Sequence, residues 1–383
     1  MSPPILTLQA LNRATLARQG LVASLTAAPV ARLVERAGSL QAQHPDWPPF
    51  ALHSRLAARA KPVDLARARA TKTIVRAPLM RMTVHVVSAA DYWPMATLTH
   101  PFRLDQWRLI FKRDPVSSPL GKRIARGHPA VLAAMAERPL AISEIEAILW
   151  AEMGRTEIPP NRPLWRHFSG TVPLILVPYA EERYGRARYL PAEAWLGQPR
   201  PEEADPDRAA AHVARRYLAA FGPASVEDLV AYVGRGRNVG RWRAVMKALA
   251  DELVAFVDEN GRALLDLPRA PRPEADAPAR PRLLARWDSL LLAYQTRHRT
   301  RVLPAAHQAI VITKNADVLP TFLVDGMVAG TWLPRQAPNG EPRLELRPFG
   351  RLKAKDRDAL EAEGARLLPL LGRSAYDRYP GTD

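Results

Sequence analysis

One pattern constrains this chain more than any other: a helix-rich run closed by a β-hairpin occurs three times along it. The first run has apolar helical spacing over residues 6–22, 29–37 and 49–58. Two β-branched stretches follow, 71–75 and 79–87, separated by Ala77-Pro78. The second places helices at 128–137, 144–153 and 162–169, the middle one opened by Ser143 with Glu146 as a capping box. Strands at 172–177 and 186–190 then flank a polar tip at 181–185. The third has helices at 208–220, 226–232 (capped by Ser225 with Asp228) and 239–250. Its hairpin pairs 253–257 with 263–267 across Glu259-Asn260-Gly261. Helices followed by a two-strand ribbon are the pattern of a helix-turn-helix with a wing.

The remaining chain differs. Strand-like stretches at 309–313, 318–324, 327–332 and 343–347 surround an Asp325-Gly326 turn, and a helix at 355–371 closes it. The expected fold is therefore α+β and mostly α, with three tandem winged helix-turn-helix units and a small β-rich C-terminal subdomain. The expected units span 1–100, 101–197, 207–268 and 282–383, with proline-rich linkers near 197–207 and 268–281.

Charge says what such a chain binds. It carries 55 Lys+Arg against 38 Asp+Glu, a formal net charge of +17 over 383 residues. That excess on a folded protein points to a polyanion, with duplex nucleic acid as the expected partner. Cysteine is absent, which excludes disulfides, thiolate metal sites and a cysteine nucleophile. No stretch is long and apolar enough to span a bilayer, and Arg13 and Arg18 interrupt the first apolar run where a signal peptide would need continuity. A cytoplasmic, nucleoid-associated monomer is expected, with no membrane and no protein partner implied.

Candidate chemistry gathers around residues 40–49, LQAQHPDWPP. Gly38 ends the preceding helix, and Pro45, Pro48 and Pro49 delay the next until about Phe50. Gln41 and Gln43 are thus held in a non-helical turn, where residues two apart point the same way. Two readings stay open: the amides cap helix ends, or they face one cavity. In the second expected strand Arg81, Thr83 and His85 alternate onto one face, an arrangement suited to a phosphate or a water. A structural role for the histidine is the competing reading.

Candidate DNA contacts come from the basic clusters. Arg55 lies on the third helix; Lys112, Arg113, Lys122, Arg123 and Arg126 lie in a stretch interleaved with Phe102, Trp107 and Phe111. Arg235, Arg237, Arg241 and Arg243 begin the third helix of the third repeat, where a helix-turn-helix reads its groove. Arg297, Arg299 and Arg301 form a last group.

The chain has no glycine-rich phosphate loop, dinucleotide fingerprint, HExxH helix or Gly-x-Ser-x-Gly elbow, and its nine histidines lack metal-ligand spacing. No metal or cofactor is expected. The LQAQ turn, the Arg81–His85 stretch and the repeated winged helices together resemble the AlkZ/YcaQ superfamily of bacterial winged-helix DNA glycosylases. The likeness extends over residues 8–19, 39–56, 74–91, 189–197, 217–228, 286–299 and 320–332. In that family a Gln–apolar–Gln motif marks the AlkZ-like branch, and Gln41-Ala42-Gln43 matches it.

The resemblance implies that Gln41 and Gln43 are catalytic and that the reaction is hydrolysis of an N-glycosidic bond. An amide is too weak a base to activate water strongly, but it can hold water and turn its carbonyl dipole toward a developing sugar cation. That suffices when the leaving base is already cationic, as an N7- or N3-alkylpurine is. The expected enzyme is a monofunctional glycosylase without lyase activity, open enough for bulky adducts or crosslinks. Asp46 and Asp288 are the carboxylates that could serve as a rival base; each could equally be charge-paired or a cap. The alternative function is a non-catalytic winged-helix DNA-binding protein or transcriptional regulator.

Overall fold

The computed structural model describes residues 3–60, 62–157, 163–178, 186–201, 205–234, 239–315, 317–337 and 339–376. The fold is mixed α+β, as the sequence predicts. Its helices start where the local chemistry allows. Thr7 accepts from the Ala10 amide to open Leu8–Arg18, and Ser225 and Asp228 cap each other's backbone at the head of Val226–Val233.

Several boundaries fall elsewhere than expected. Pro48 and Pro49 do not postpone the third helix; they occupy the first turn of Trp47–His53, where a missing N–H costs nothing. Helix Ile142–Glu152 begins after Ala141, so Glu144 supplies the capping carboxylate, accepting from the Ala141 amide at 2.7 Å. Glu146 is instead buried, bonded to the Trp150 indole. The segment expected as strand 309–313 is the short helix Gln308–Val311. The basic stretch from 103 to 126 divides into Pro101–Phe111 and Pro119–Arg126.

The strands expected as separate wings of the first two repeats are one sheet. Its order runs Leu40–Gln41, Val84–Ser88, Ile74–Pro78, Leu174–Leu176, Tyr189–Pro191, with every adjacent pair antiparallel. The glutamine turn therefore forms an edge of a sheet rather than a free loop. The polar tip at 181–185 lies outside the described residues. The third repeat's hairpin, Val254–Asp258 with Ala263–Asp266, gains a parallel partner from Ile5–Leu6. At the C-terminal end, Pro342–Pro348, Met327–Gln336, Thr321–Val324 and Arg282–Leu284 make a four-stranded sheet.

Packing joins these pieces. One apolar core runs from the first helices into the C-terminal sheet, with the Phe50 and Trp332 rings stacked at 5.0 Å and Trp47 edge-on at 5.8 Å. Removing the Trp332 side chain would cost about 3–5 kcal/mol. A second core packs the Ile74–Pro78 and Val84–Ser88 strands against the helices of the third repeat, including Tyr217, Phe221 and Tyr232. That contact brings distant parts of the chain to the glutamine turn.

Candidate active site

The turn is built by a left-handed exit from helix Val30–Arg36. Gly38 has φ +69°, and a Cβ there would strike the Phe221 ring. Ser39 follows at φ 82°, held by a 2.8 Å bond from the Ser289 hydroxyl to its carbonyl. The Tyr232 hydroxyl lies 2.5 Å from the Gly38 carbonyl and 3.1 Å from the Ser39 hydroxyl. Leu40 and Gln41 then pair with Val86 and His85. The Ala42 amide donates to Val84 at 2.7 Å, and the Arg76 guanidinium donates to the Ala42 carbonyl at 3.0 Å.

The two amides differ in their setting. Gln41 is only 9% exposed, and its side-chain carbonyl accepts from Arg81 at 3.2 Å. Gln43 is exposed, and its carbonyl accepts from the Val84 amide at 3.3 Å. Because both donors are N–H groups, each amide must turn its oxygen inward toward them, with one lone pair still open. Neither residue caps a helix end.

Arg81 and His85 meet the glutamines by a different route from the one alternation predicts. Met80–Met82 is a tight turn with Arg81 at φ 53° and Met82 at φ 59°, and the strand starts only at Val84. The turn carries the Arg81 guanidinium back over the strand. One nitrogen reaches the Tyr232 carbonyl at 2.6 Å; the other touches Gln41 and lies 3.1 Å from His85 Nε2. His85 Nδ1 is 3.0 Å from the Thr83 carbonyl, so Nδ1 carries the proton and Nε2 accepts from Arg81. Thr83 also bonds the Met80 carbonyl. Burial, followed by the charge of Arg81, holds the His85 pKa well below the usual histidine range. Burial also lowers Arg81 to about 10, so it stays charged at neutral pH while His85 stays neutral.

The two candidate carboxylates have partners of their own. Asp288 accepts both guanidinium nitrogens of Arg55 at 2.7 and 2.9 Å and caps Leu290, with both ionic side chains buried. It is charge-paired and a cap at once, the two structural roles open to it from the sequence. Asp46 sits beside His44 and packs against Gly372. Among the described residues, no group of three or more His, Asp or Glu is placed to hold a metal ion.

The basic candidates separate in the same way. Arg55 is 1% exposed in its pair with Asp288, and Arg301 is fully buried, bonded to the Pro223 carbonyl and lying over the Tyr294 ring. Neither presents its charge to a ligand, because each guanidinium holds core elements together. Lys112, Arg113, Lys122, Arg123, Arg126, Arg243 and Arg297 are exposed. Arg241 pairs with Asp207 and Arg243 with Glu227, both at 2.9 Å. Arg299 is half-buried. Arg235 and Arg237 lie outside the described residues.

Sequence reasoning missed Tyr232, Ser289 and Arg76. Tyr232 stands 151 residues from Arg81, and no spacing rule links them. A hollow of about 350 Å³ lined by Leu8, Asp258, Arg262, Arg297 and His298 does not include the glutamines. Gln43 lies at the surface, its side-chain oxygen on the Val84 amide.

The fold matches the solved structure of Streptomyces sahachiroi DNA glycosylase AlkZ with a TM-score of 0.75, at 20% identity, over 95% of this chain and 97% of that one. The family model "DNA glycosylase AlkZ-like" matches residues 34–370, and the chain belongs to that family. A curated relative, an interstrand DNA cross-link repair glycosylase of Streptomyces sahachiroi, is 30% identical over 130 residues. That alignment spans 33% of this chain and 35% of the relative.

Proposed function

We propose that this protein is a monofunctional DNA glycosylase that hydrolyses the N-glycosidic bond of cationic N7- or N3-alkylated purines in duplex DNA. The single observation that carries the proposal is the Gln41–Arg81–His85 cluster with Gln43 exposed beside it, none of whose direct hydrogen-bond partners among the described residues is a carboxylate. The relative's name supports extension to interstrand crosslinks, and the exposure of Gln43 suits bulky lesions.

In this reading the C1′–N9 bond breaks as the alkylated base leaves. The base takes the bonding electrons and departs neutral, while the positive charge passes to the sugar. Gln43 holds the incoming water by its open lone pair and presents it to the sugar cation. Oxygen from water then bonds C1′ and its proton goes to solvent, leaving an abasic site. No strong base is needed because the leaving group is charged from the start. Arg81 fixes Gln41, and a phosphate of bound DNA answers its positive charge, so the site is complete only with DNA present. The basic surface of the helix-rich scaffold holds the duplex.

The test is a duplex carrying N7-methylguanine. The wild type should accumulate abasic sites, and Gln41→Ala with Gln43→Ala should abolish them with duplex affinity retained. A wild type that releases no base but footprints a defined palindrome would instead be a regulator.

A further inference from the structure

Tyr232 reaches the glutamine turn twice, through two different atoms. It lies near the C-terminal end of helix Val226–Val233 and is buried. Its hydroxyl donates to the Gly38 carbonyl at 2.5 Å. A carbonyl only accepts, so the phenol proton is spent there, and the Ser39 hydroxyl 3.1 Å away donates to the phenol oxygen. At the other end of the residue, its backbone carbonyl is one of those a helix leaves without an internal partner. That carbonyl accepts the Arg81 guanidinium at 2.6 Å, and the other nitrogen of the fork donates to the Gln41 side chain at 3.2 Å. Only Leu40 separates Ser39 from Gln41. The contacts close a ring: from Tyr232 to the turn, along the chain to Gln41, from its amide to Arg81, and back to Tyr232.

The turn needs such a clamp. Ser39 stands at φ 82°, a conformation that a side-chain-bearing residue leaves unless its surroundings hold it. Its amide donates to the Val34 carbonyl at 3.1 Å, its carbonyl accepts from Ser289, and its hydroxyl is on Tyr232. The Tyr232 ring is placed independently of its hydroxyl, packed against Tyr217 and Phe221 with centroids 5.1 and 5.5 Å away. Loss of the hydroxyl alone therefore frees the turn without moving the ring. Burial pushes the phenol up to about 12, so it keeps its proton and remains a donor at neutral pH.

We propose that Tyr232 is a positioning residue for base release: its hydroxyl sets the backbone that carries Gln41, and its carbonyl sets the arginine that orients the Gln41 amide. The active site is then shared between the first repeat, which supplies the glutamines, and the third, which holds them in place. The inference rests on the glycosylase reading for its rate effect, but the placement of the Gln41 amide is measured apart from base release.

The experiment follows single-turnover release of N7-methylguanine by the full chain, together with Kd for the same duplex. It also records the side-chain amide signal of Gln41 by NMR in protein carrying isotope-labelled glutamine, assigned by its loss in Gln41→Ala. Tyr232→Phe removes the hydroxyl and keeps the ring. It should slow release about ten-fold, the worth of one hydrogen bond that holds a reacting group. Kd should stay unchanged and the Gln41 signal should shift. Tyr217→Phe is the matched control: its hydroxyl lies in the same core but donates to the Ala293 carbonyl at 2.9 Å rather than to the turn. Its loss should leave rate and signal as in the wild type. If Tyr232→Phe fails to fold by circular dichroism, Ser39→Ala removes the hydroxyl pair from its other end and should give the same slowing and shift. A wild-type rate with an unmoved Gln41 signal in the folded variant overturns the proposal. So does equal slowing by Tyr217→Phe, since any loosened core would then suffice. A wild type that releases no base would refute the glycosylase reading, and the Gln41 signal would still decide whether Tyr232 positions that amide.

Discussion

The Arg81 guanidinium donates to the side-chain carbonyl of Gln41 at 3.2 Å while its other terminal nitrogen holds the Tyr232 carbonyl at 2.6 Å. One cation therefore fixes which way the buried amide faces. Arg81→Ala should lower single-turnover base release about 100-fold, the scale of a misplaced catalytic group. Arg81→Lys should not restore it, because a single ammonium on a flexible stem cannot bridge both acceptors as the fork does. Full activity in the lysine variant would show that charge alone matters.

Gly234 backs onto Arg81. Its φ is +108°, and a Cβ there would lie 2.7 Å from the Arg81 Cα. Gly234→Ala should cost about 1–3 kcal/mol of stability and reduce base release at temperatures well below unfolding. Thermal unfolding and single-turnover kinetics on the same preparation check both. A loss of stability with an unchanged rate would detach Arg81 placement from catalysis.

The pH profile follows from the two shifted groups. His85 has its pKa driven well below the usual value, so it is neutral throughout the working range and contributes no acid limb near 6.5. Arg81, at about 10, loses its proton only as pH climbs through that value. Base release should be flat from about pH 6 to 9 and fall above it as Arg81 titrates. A limb centred near 6.5 in the rate of bound complex would place a titrating histidine in the reaction.

Arg55 and Asp288 are a buried bidentate pair. Asp288→Asn leaves the guanidinium charge uncompensated in the core and should destabilise the fold by about 3–5 kcal/mol. With its carboxylate committed to Arg55, the folded variant should release base at the wild-type rate below its transition. Denaturant unfolding and single-turnover assays separate the two effects. A folded, stable and inactive variant would return Asp288 to the candidate bases.

Much of this was legible in the chain. The Ser225–Asp228 cap, the hairpin around Asn260-Gly261 and the Asp325-Gly326 turn depend on neighbours a few residues apart, and each forms as predicted. The convergence of Gln41, Arg81 and His85 was foreseen in membership but not in geometry. Strand alternation was the wrong cause, because Arg81 arrives through a left-handed turn. Tyr232 was illegible because its link to Gly38 and Arg81 exists only once the third repeat packs onto the first hairpin. For Arg55 and Arg301, sequence shows a charge but not whether a carboxylate or an aromatic ring waits in the core to receive it.

The central claim is that uncharged amides suffice because the leaving base is already positive. The most direct measurement compares single-turnover release of N7-methylguanine with release of hypoxanthine, an uncharged lesion, from otherwise identical duplexes. The account predicts release of the cationic base at least about 10³-fold faster, the scale of the missing acid–base assistance. Comparable rates for the two bases, or release of hypoxanthine alone, would contradict it.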